Sequence, residues 1–192
     1  MNIETIVLAA GLSERAGVFK MELPLGDKTL IERTIEGPYQ VSLRIIVVGG
    51  YKIERLREIL SSYEKVEVVF NKNYKRGMFS SVKEGVKYVQ AERFFILPGD
   101  CPLIRENVYR ALLEVDADIV IPAYRGKKGH PVLLRGNLKR SLLEEPDDSN
   151  LRNFIKKNRY AILEVPDNGI IIDVDTVEDY EKIRHRFEKK NQ

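Results

Sequence analysis

The sequence predicts an α/β fold, a single doubly wound (Rossmann-like) domain with a mostly parallel β-sheet and a small antiparallel excursion. Short apolar runs recur with helical patterns between them, which is typical of parallel strands joined by crossover helices. The rhythm changes near residue 123, and 192 residues are enough for one well-packed domain. We therefore predict one domain over residues 1–192, with residues 123–160 as an insertion.

The first half of the chain is predicted to form four buried strands with helices between them. Strands are predicted at the apolar runs Ile3–Ala9, Leu43–Val48, Val66–Phe70 and Phe94–Leu97. Apolar residues at helical spacing predict helices over Thr29–Glu36, Ile53–Ser61 and Phe79–Val89. Glycine or proline follows three of these elements, at Gly37-Pro38, Gly49-Gly50 and Pro98-Gly99.

The second half begins with the same alternation, a helix at Asn107–Val115 and a strand at Ile119–Ile121. Two extended segments, Ala123–Arg125 and Pro131–Arg135, then flank a glycine-containing loop and predict the antiparallel excursion. The remaining elements are predicted as helices at Asn137–Leu143, Asn150–Lys157 and Thr176–Phe187, and as strands at Ala161–Val165 and Ile170–Ile172.

Composition argues against several classes of protein. A net charge of +3 with 32% charged residues lacks the basic footprint of a nucleic-acid-binding protein. No apolar stretch approaches the roughly 20 residues of a membrane span, and no signal-peptide pattern precedes the first strand. The single cysteine, Cys101, excludes an internal disulfide and suits a reducing compartment. We expect a cytoplasmic protein that binds neither nucleic acid nor membranes.

The first predicted strand runs into a glycine-containing loop, Gly11 to Lys20. Without a Cβ in the way, backbone N–H groups of such a loop approach an anion closely. Arg15 and Lys20 can add charge-assisted contacts to phosphate oxygens. Because open α/β sheets bind ligands at the carboxyl ends of their strands, we predict a phosphate or nucleotide site here. The alternative is an ordinary loop with two solvated cations.

Three further stretches hold candidate site residues. Asp100 follows a predicted strand, at the same sheet edge as the first loop, although Asp between Gly and Pro is also a common turn residue. Asp173 and Asp175 stand between the last strand and the last helix, where the alternative role is helix capping, with the stronger case for Asp175. Residues 77–81 offer backbone N–H groups and two serine hydroxyls, or a helix cap with Met78 in the core.

These motifs resemble those of nucleotidyltransferases that move a nucleoside monophosphate from an NTP to a phosphate. The first loop matches their pattern A-A-G-x-S-x-R-x-G-x-x-K, followed by L-P, at Ala9, Ala10, Gly11, Ser13, Arg15, Gly17, Lys20, Leu23 and Pro24. Ala16 replaces the usual Met. A Walker A pattern is absent, and so is G-x-G-x-x-G, which disfavours an NAD-type redox enzyme.

Two further motifs make the chain similar to the molybdenum-cofactor nucleotidyltransferases, and most of all to molybdopterin cytidylyltransferases. Gly77-Met-x-Ser-Ser resembles their G-M-x-x-S motif, and Gly129-His-Pro resembles G-H-P-[VI] at the acceptor side. Residues 147–152 resemble G-D-x-G-x-R, with Asp147 and Asn150 in place of the glycines. Asn tolerates a left-handed backbone, whereas the charge of Asp147 disfavours an anionic acceptor.

The resemblance implies a Mg²⁺-dependent enzyme that transfers NMP, CMP from CTP above all, to a phosphate-bearing acceptor such as the molybdopterin cofactor. Implied catalytic residues are Lys20, Arg15 and Asp100, and implied metal ligands are Asp100 and Asp173. Implied nucleotide-binding residues are Leu8, Ala9, Ala10, Gly11, Leu12, Ser13, Gly77, Ser80, Ser81, Pro98 and Gly99. Implied acceptor-binding residues are His130, Asp148 and Arg152, so residues 123–160 become an acceptor-side insertion.

The implied partners are CTP or GTP, a phosphorylated small-molecule acceptor, and a molybdoenzyme or cofactor-delivery protein. Three alternatives stay open at this point. The chain could be a guanylyltransferase, a sugar- or polyol-phosphate nucleotidyltransferase, or a nucleotide-binding regulatory module without turnover. Pyrophosphate release in the presence of each NTP discriminates the module from the enzymes.

Overall fold

A mixed β-sheet forms the centre of the molecule in the computed structural model, which describes residues 2–11 and 19–188. In chain order the strands are β1 (Ile3–Ala9), β2 (Pro24–Leu25), β3 (Lys28–Thr29), β4 (Arg44–Gly49), β5 (Val66–Phe70), β6 (Arg93–Pro98), β7 (Ile119–Tyr124), β8 (Lys127–Lys128), β9 (Val132–Arg135) and β10 (Ala161–Glu164). The large sheet has the order β10-β7-β9-β6-β1-β4-β5, with β8 paired to β7, while β2 and β3 form a separate ribbon.

Helices connect these strands and cover the sheet. They are α1 (Leu30–Tyr39), α2 (Ile53–Leu60), α3 (Met78–Tyr88), α4 (Glu106–Leu113), α5 (Lys139–Glu144), α6 (Leu151–Lys157) and α7 (Val177–Glu188). Short 3-10 helices lie at Lys20–Glu22, Tyr74–Arg76, Gly136–Leu138 and Asn168–Ile171. No described helix has the length and apolar character that crossing a membrane requires.

The strand directions confirm the predicted doubly wound, mostly parallel sheet. In the large sheet, β1, β4, β5, β6, β7 and β10 run the same way, and β8 and β9 run opposite. The carboxyl ends of the six parallel strands therefore meet at one edge. Because β9 is antiparallel between β6 and β7, its first residue, Val132, pairs with Ile96 near that same edge. This insertion is the predicted antiparallel excursion.

Two hydrophobic clusters lie on opposite faces of the sheet. One contains Val7 with residues of α1, α2, α4 and α7, and the other contains Ile6 with residues of α3, α5 and α6. Neighbouring residues of β1 face opposite clusters because side chains alternate along a strand. Burial on both faces explains why the parallel strands read as continuous apolar runs.

Helix α1 differs from its prediction at the carboxyl end. Thr29 caps its start in a reciprocal pair with Glu32, but the helix continues through Gly37 and Pro38 to Tyr39. Pro38 lies in the last turn and has no N–H to donate to the Thr34 carbonyl, so one helical hydrogen bond is lost close to the end of the helix. Gly37 is required there because a Cβ would overlap the carbonyl oxygen of Ile104.

The strand predicted at Ile170–Ile172 is wrong, since Asn168–Ile171 forms a 3-10 helix. The Asp167 carboxylate accepts a hydrogen bond from the Gly169 N–H at 2.8 Å and starts this turn. Asp-Asn-Gly is a strong turn sequence, and here it overrides the apolar residues that follow. Ile170 is nevertheless buried, which accounts for the apolar signal.

Candidate active site

Lys20 joins three segments that are far apart in the sequence. Its Nζ donates to the Val174 carbonyl at 2.6 Å and to Asp100 Oδ2 at 3.2 Å, and it lies 3.4 Å from Asp175 Oδ1. The lysine side chain is only 16% exposed. The structure thus fixes an ammonium group at the carboxyl edge of the sheet, beside the acidic residues that the sequence singled out.

Asp100 and the segment around Asp173 are tied together by the backbone. The Val174 N–H donates to the Asp100 carbonyl at 3.0 Å. The segment that follows β6 therefore lies against the segment that precedes α7. Partial burial raises the pKa of Asp173, and the nearby carboxylates of Asp175 and Asp100 raise it further. The predicted convergence of Lys20, Asp100 and Asp173 is present in the structure.

The carboxylates of Asp100 and Asp173 are the oxygen donors that this site offers to a hard divalent cation. Asp100 and Asp175 pair with Lys20, and the pKa of Asp173 is raised first by burial and then by the charges of Asp175 and Asp100. Within the described ranges no group of three or more His, Cys, Asp or Glu side chains could hold a metal ion. Mg²⁺ suits a site of two carboxylates, Asp100 and Asp173, because it retains waters and takes substrate phosphates as ligands.

Asp175 does not have the helix-capping role that is the alternative in its case. Thr176 and Asp179 cap α7 instead, with Asp179 N–H donating to Thr176 Oγ1 at 3.1 Å and Thr176 N–H donating to Asp179 Oδ2 at 3.0 Å. Asp175 is left to pair with Lys20.

Cys101 lies behind Asp100 and is 2% exposed. Burial raises the pKa of its thiol far above the ordinary value, and the charges of Asp100 and Asp173 raise it further. The thiol is therefore neutral and unreactive at neutral pH. Its structural role is packing in the core below the carboxylates.

The turn before Asp100 is held against β1 and α1. Gly99 N–H donates to the Leu8 carbonyl at 2.9 Å, and the buried Thr34 hydroxyl donates to the Gly99 carbonyl at 2.8 Å. A Cβ at position 99 would approach Met21 Sδ and the Leu8 carbonyl at 3.0 and 3.1 Å. Sequence reasoning missed Thr34, although a threonine on the apolar side of a helix was the available signal.

The predicted phosphate loop is described only at its two ends. Leu12, Ser13, Arg15 and Gly17 lie outside the described residues, so their predicted roles stay predictions. Ala9 and Ala10 are buried, and Pro98 pairs with Leu8 in the sheet. A Cβ added at Gly11 would have no described atom within 4 Å.

A buried asparagine organises the turn that contains Gly77. Asn71 Nδ2 donates to Ser80 Oγ at 2.9 Å and to Ser81 Oγ at 3.0 Å, and Asn71 Oδ1 accepts from the Asn73 N–H at 2.9 Å. Ser80 also hydrogen-bonds to the Asn73 and Gly77 carbonyls, and Ser81 is buried. Both hydroxyls therefore hold the turn. Sequence reasoning assigned no role to Asn71, because its partners follow it by nine and ten residues.

Gly77 and Met78 are the exposed part of this turn. Gly77 has φ of +96°, a conformation that favours glycine, and a Cβ added there would have no described atom within 4 Å. Met78 is 64% exposed, so the alternative in which it packs in the core is wrong. Because α3 follows the carboxyl end of β5, its first backbone N–H groups lie at the same edge as Lys20.

His130 reaches the same edge through β9. Its N–H donates to the Ile170 carbonyl at 2.8 Å, which joins the residues before β9 to the turn that leads to Asp173. Burial lowers the pKa of His130, against a smaller opposing effect of the Asp173 charge. Its buried Nδ1 has no hydrogen-bond partner among the described residues. A neutral imidazole therefore stands near Asp173.

We expect Gly129→Ala to destabilise the fold by about 2 kcal/mol or more, because the added Cβ would overlap the Ile170 carbonyl oxygen. Urea unfolding measures the change in free energy. Gly11→Ala is the matched control, since that methyl group meets no described atom within 4 Å. Equal stability of Gly129→Ala and the wild-type chain would contradict this account of the Gly-His-Pro segment.

The segment of residues 147–152, predicted at the acceptor side, contains both unpaired and paired polar side chains among the described residues. Asp148 and Arg152 are exposed, and neither side chain forms a hydrogen bond or ion pair with another described residue. Asp147 pairs with Lys83 and Arg76, so its charge is compensated. The left-handed conformation considered for Asn150 is wrong, since its φ is −151° and its side chain caps α6 through the Asn153 N–H at 2.8 Å.

Comparison with known proteins gives the family. Residues 5–162 match the family described as the MobA-like NTP transferase domain. The chain belongs to the MobA-like NTP transferase family. It is 31% identical, over 96% of its length and 97% of the relative's, to molybdenum cofactor cytidylyltransferase of Escherichia coli (strain K12). It is 28% identical, over 83% of its length and 72% of the relative's, to a probable molybdenum cofactor guanylyltransferase of Bacillus anthracis.

Solved structures carry the same fold. A nucleotidyl transferase from Methanothermobacter thermautotroptrophicus superposes with a TM-score of 0.85 at 24% identity, covering 98% of this chain and 99% of the other. The MobA-like assignment confirms the predicted kinship with molybdenum-cofactor nucleotidyltransferases. It makes the chain a nucleotidyltransferase, and the cluster around Lys20 becomes its candidate active site.

Proposed function

We propose that this chain transfers CMP from CTP to the phosphate of the molybdopterin cofactor and releases pyrophosphate. The observation that supports this choice most is the 31% identity, over nearly the whole of both chains, to a molybdenum cofactor cytidylyltransferase. The Gly129-His130-Pro131 segment adds support, because it meets the Asp173 segment at the carboxyl edge. The acceptor-side assignment of residues 123–160, with His130, Asp148 and Arg152, belongs to the same proposal.

In the proposed reaction an acceptor phosphate oxygen attacks the α-phosphorus of CTP. A new P–O bond forms, the bond to the β-phosphate oxygen breaks, and pyrophosphate leaves with its electron pair. The acceptor phosphate is already ionised, so no strong general base is required. Catalysis then depends on positioning and on electrostatic stabilisation of charge around the α-phosphorus.

Lys20 is suited to this electrostatic role because its charge is fixed in place. The bond to the Val174 carbonyl and the pair with Asp100 anchor the ammonium at the cleft. Asp100 and Asp173 would hold Mg²⁺, which supplies further neutralisation of the phosphate charges when bound. Arg15 is proposed as a second cation on the phosphates, and the N–H groups around Gly11 and Gly77 as nucleotide contacts.

The test is pyrophosphate release with Mg²⁺, each NTP separately, and the molybdopterin cofactor or a sugar or polyol phosphate as acceptor. Turnover with CTP and the molybdopterin cofactor, together with a product heavier by CMP, is expected. Preference for GTP would make the chain a guanylyltransferase, and turnover of sugar or polyol phosphates would move it to that class. Binding of NTP with no pyrophosphate release for any acceptor would favour the regulatory module.

We expect Gly11→Ala to weaken CTP binding about tenfold, which corresponds to about 1.4 kcal/mol. The methyl group would project where the triphosphate is proposed to approach the backbone, and no described atom lies within 4 Å of it. Calorimetric titration with CTP measures the affinity, and a thermal melt of the ligand-free variant checks that the fold is unaffected. Unchanged CTP affinity would contradict the assignment of Gly11 to the nucleotide site.

A further inference from the structure

One carboxylate holds the turn between α5 and α6, residues 145–150, against α3. Asp147 Oδ1 accepts from Lys83 Nζ at 2.7 Å, and Asp147 Oδ2 accepts from Arg76 Nη1 at 3.4 Å. Arg76 immediately precedes Gly77, and Lys83 lies in the second turn of α3. Arg76 and Lys83, which lie next to a proposed nucleotide contact, Gly77, therefore pair with Asp147, which lies in the proposed acceptor-side segment.

The topology puts this contact near the carboxyl edge of the sheet. β9 runs antiparallel and ends at the opposite edge, where Arg135 pairs with Arg93 at the start of β6. α5 follows β9, packs against α3 and returns towards the carboxyl edge, where the 145–150 turn meets the first turns of α3. The Asp147 carboxylate thus lies towards the same edge of the sheet as the candidate active site.

The two cations have the properties of an anion-binding site. Lys83 is held in position, because its side chain is 18% exposed and its Nζ also donates to the Glu145 carbonyl at 2.8 Å. Arg76 is 66% exposed, so its planar guanidinium can adjust to a larger anion. Phosphate oxygens accept the same charge-assisted hydrogen bonds as a carboxylate. Asp147 therefore accepts from Arg76 and Lys83 the hydrogen bonds that a phosphate could accept.

We infer that Arg76 and Lys83 form a subsite for the phosphate monoester of the acceptor, and that Asp147 occupies this subsite until the acceptor displaces it. The inference rests on the proposed function, because it assumes that an acceptor phosphate approaches the start of α3. It makes Asp147 a specificity-determining residue, which weakens binding of any anion that cannot compete with its carboxylate. A tethered carboxylate of this kind selects for the more highly charged acceptors.

The turn has other anchors, so the carboxylate can be removed without unfolding it. Glu145 accepts from Lys157 Nζ at 2.9 Å with both oxygens and from Ser149 Oγ at 2.9 Å. The bond from Lys83 Nζ to the Glu145 carbonyl does not involve the Asp147 side chain. Asp147→Asn therefore keeps the shape of the turn and removes one negative charge.

The experiment uses inorganic phosphate as the probe and the full chain as the protein. Asp147→Asn is expected to bind phosphate about two- to fivefold more tightly, the range that corresponds to an exposed ion pair. A second change, Arg76→Ala, is expected to abolish this gain in the Asp147→Asn background. Glu144→Gln is the matched control, since it removes a nearby negative charge that pairs with Arg140 at 2.8 Å instead. Its phosphate affinity should equal that of the wild-type chain.

Turnover gives a second, independent measurement. Asp147→Asn should lower the KM for the acceptor and leave the KM for CTP unchanged, a split that a purely structural role would not produce. Unchanged phosphate affinity in Asp147→Asn overturns the inference, and so does an equal gain in Glu144→Gln, which would report a general charge effect. Phosphate binding needs no turnover. If the wild-type chain turns over no acceptor, the proposed function fails and the acceptor assignment fails with it, whatever the phosphate titration shows.

Discussion

Lys20→Ala is expected to lower kcat about 10²- to 10³-fold, the loss that follows removal of one preorganised donor at developing charge. The ammonium is anchored by the Val174 carbonyl and by Asp100, so it needs no reorganisation when charge builds on the phosphates. Alanine removes that charge and leaves the segment around Asp100 joined to Val174 by its backbone hydrogen bond. Pyrophosphate release under single-turnover conditions measures the effect.

Lys28→Ala is the matched control for this prediction. Lys28 is also a partly exposed lysine in an ion pair, 2.6 Å from Glu36, but it lies in the small ribbon of β2 and β3. It should keep wild-type turnover. A thermal melt of both variants separates a catalytic loss from unfolding, and full turnover by a folded Lys20→Ala would remove Lys20 from the mechanism.

Asp100→Asn is expected to lower turnover about 10³-fold, because loss of a proposed metal ligand forfeits several kcal/mol of charge stabilisation. The amide keeps the size of the side chain and cannot supply the carboxylate charge that Mg²⁺ prefers. Removal of Mg²⁺ with a chelator should stop the wild-type reaction. Turnover measured against Mg²⁺ concentration should then show a weaker apparent metal affinity in the variant.

The control for Asp100→Asn is Asp116→Asn, which makes the same chemical change at an exposed aspartate before β7, paired with Arg135 at the opposite edge. It should leave both turnover and the Mg²⁺ dependence unaltered. If Asp100→Asn retains the wild-type Mg²⁺ dependence while folded, the metal assignment is wrong. In that case the carboxylate serves only to position Lys20.

Local sequence patterns were sufficient to predict most of the strands and helices. The apolar runs that predicted the strands are buried on both faces of the sheet, and such strands give a strong signal in sequence. The carboxyl-edge rule was enough to predict that Lys20, Asp100 and Asp173 lie close together. The prediction failed at Asn168–Ile171, where the choice between strand and turn depended on a buried apolar residue next to strong turn formers.

The contacts that sequence reasoning missed all join residues that are distant or lie outside any motif. Asn71 holds two serines across a turn, and Asp147 pairs with Lys83 across 64 residues. A single sequence carries no direct signal of such pairings. Sequence reasoning therefore treated the charge of Asp147 as uncompensated. The single-domain organisation and the roles of Leu12, Ser13 and Arg15 stay predictions.

The antiparallel strand β9 separates the other strands of the large sheet into two groups. The strands on one side of it, β6, β1, β4 and β5, bring the candidate nucleotide-activating groups to the edge, whereas β7 and β10 on the other side are joined to β9 by the loops of residues 123–160. Asp173 and Asp175 follow β10, so segments from both sides of β9 contribute to the candidate active site. Under the proposed acceptor-side role of residues 123–160, exchange of that segment is the engineering step that should alter the acceptor while Lys20 and Asp100 are retained.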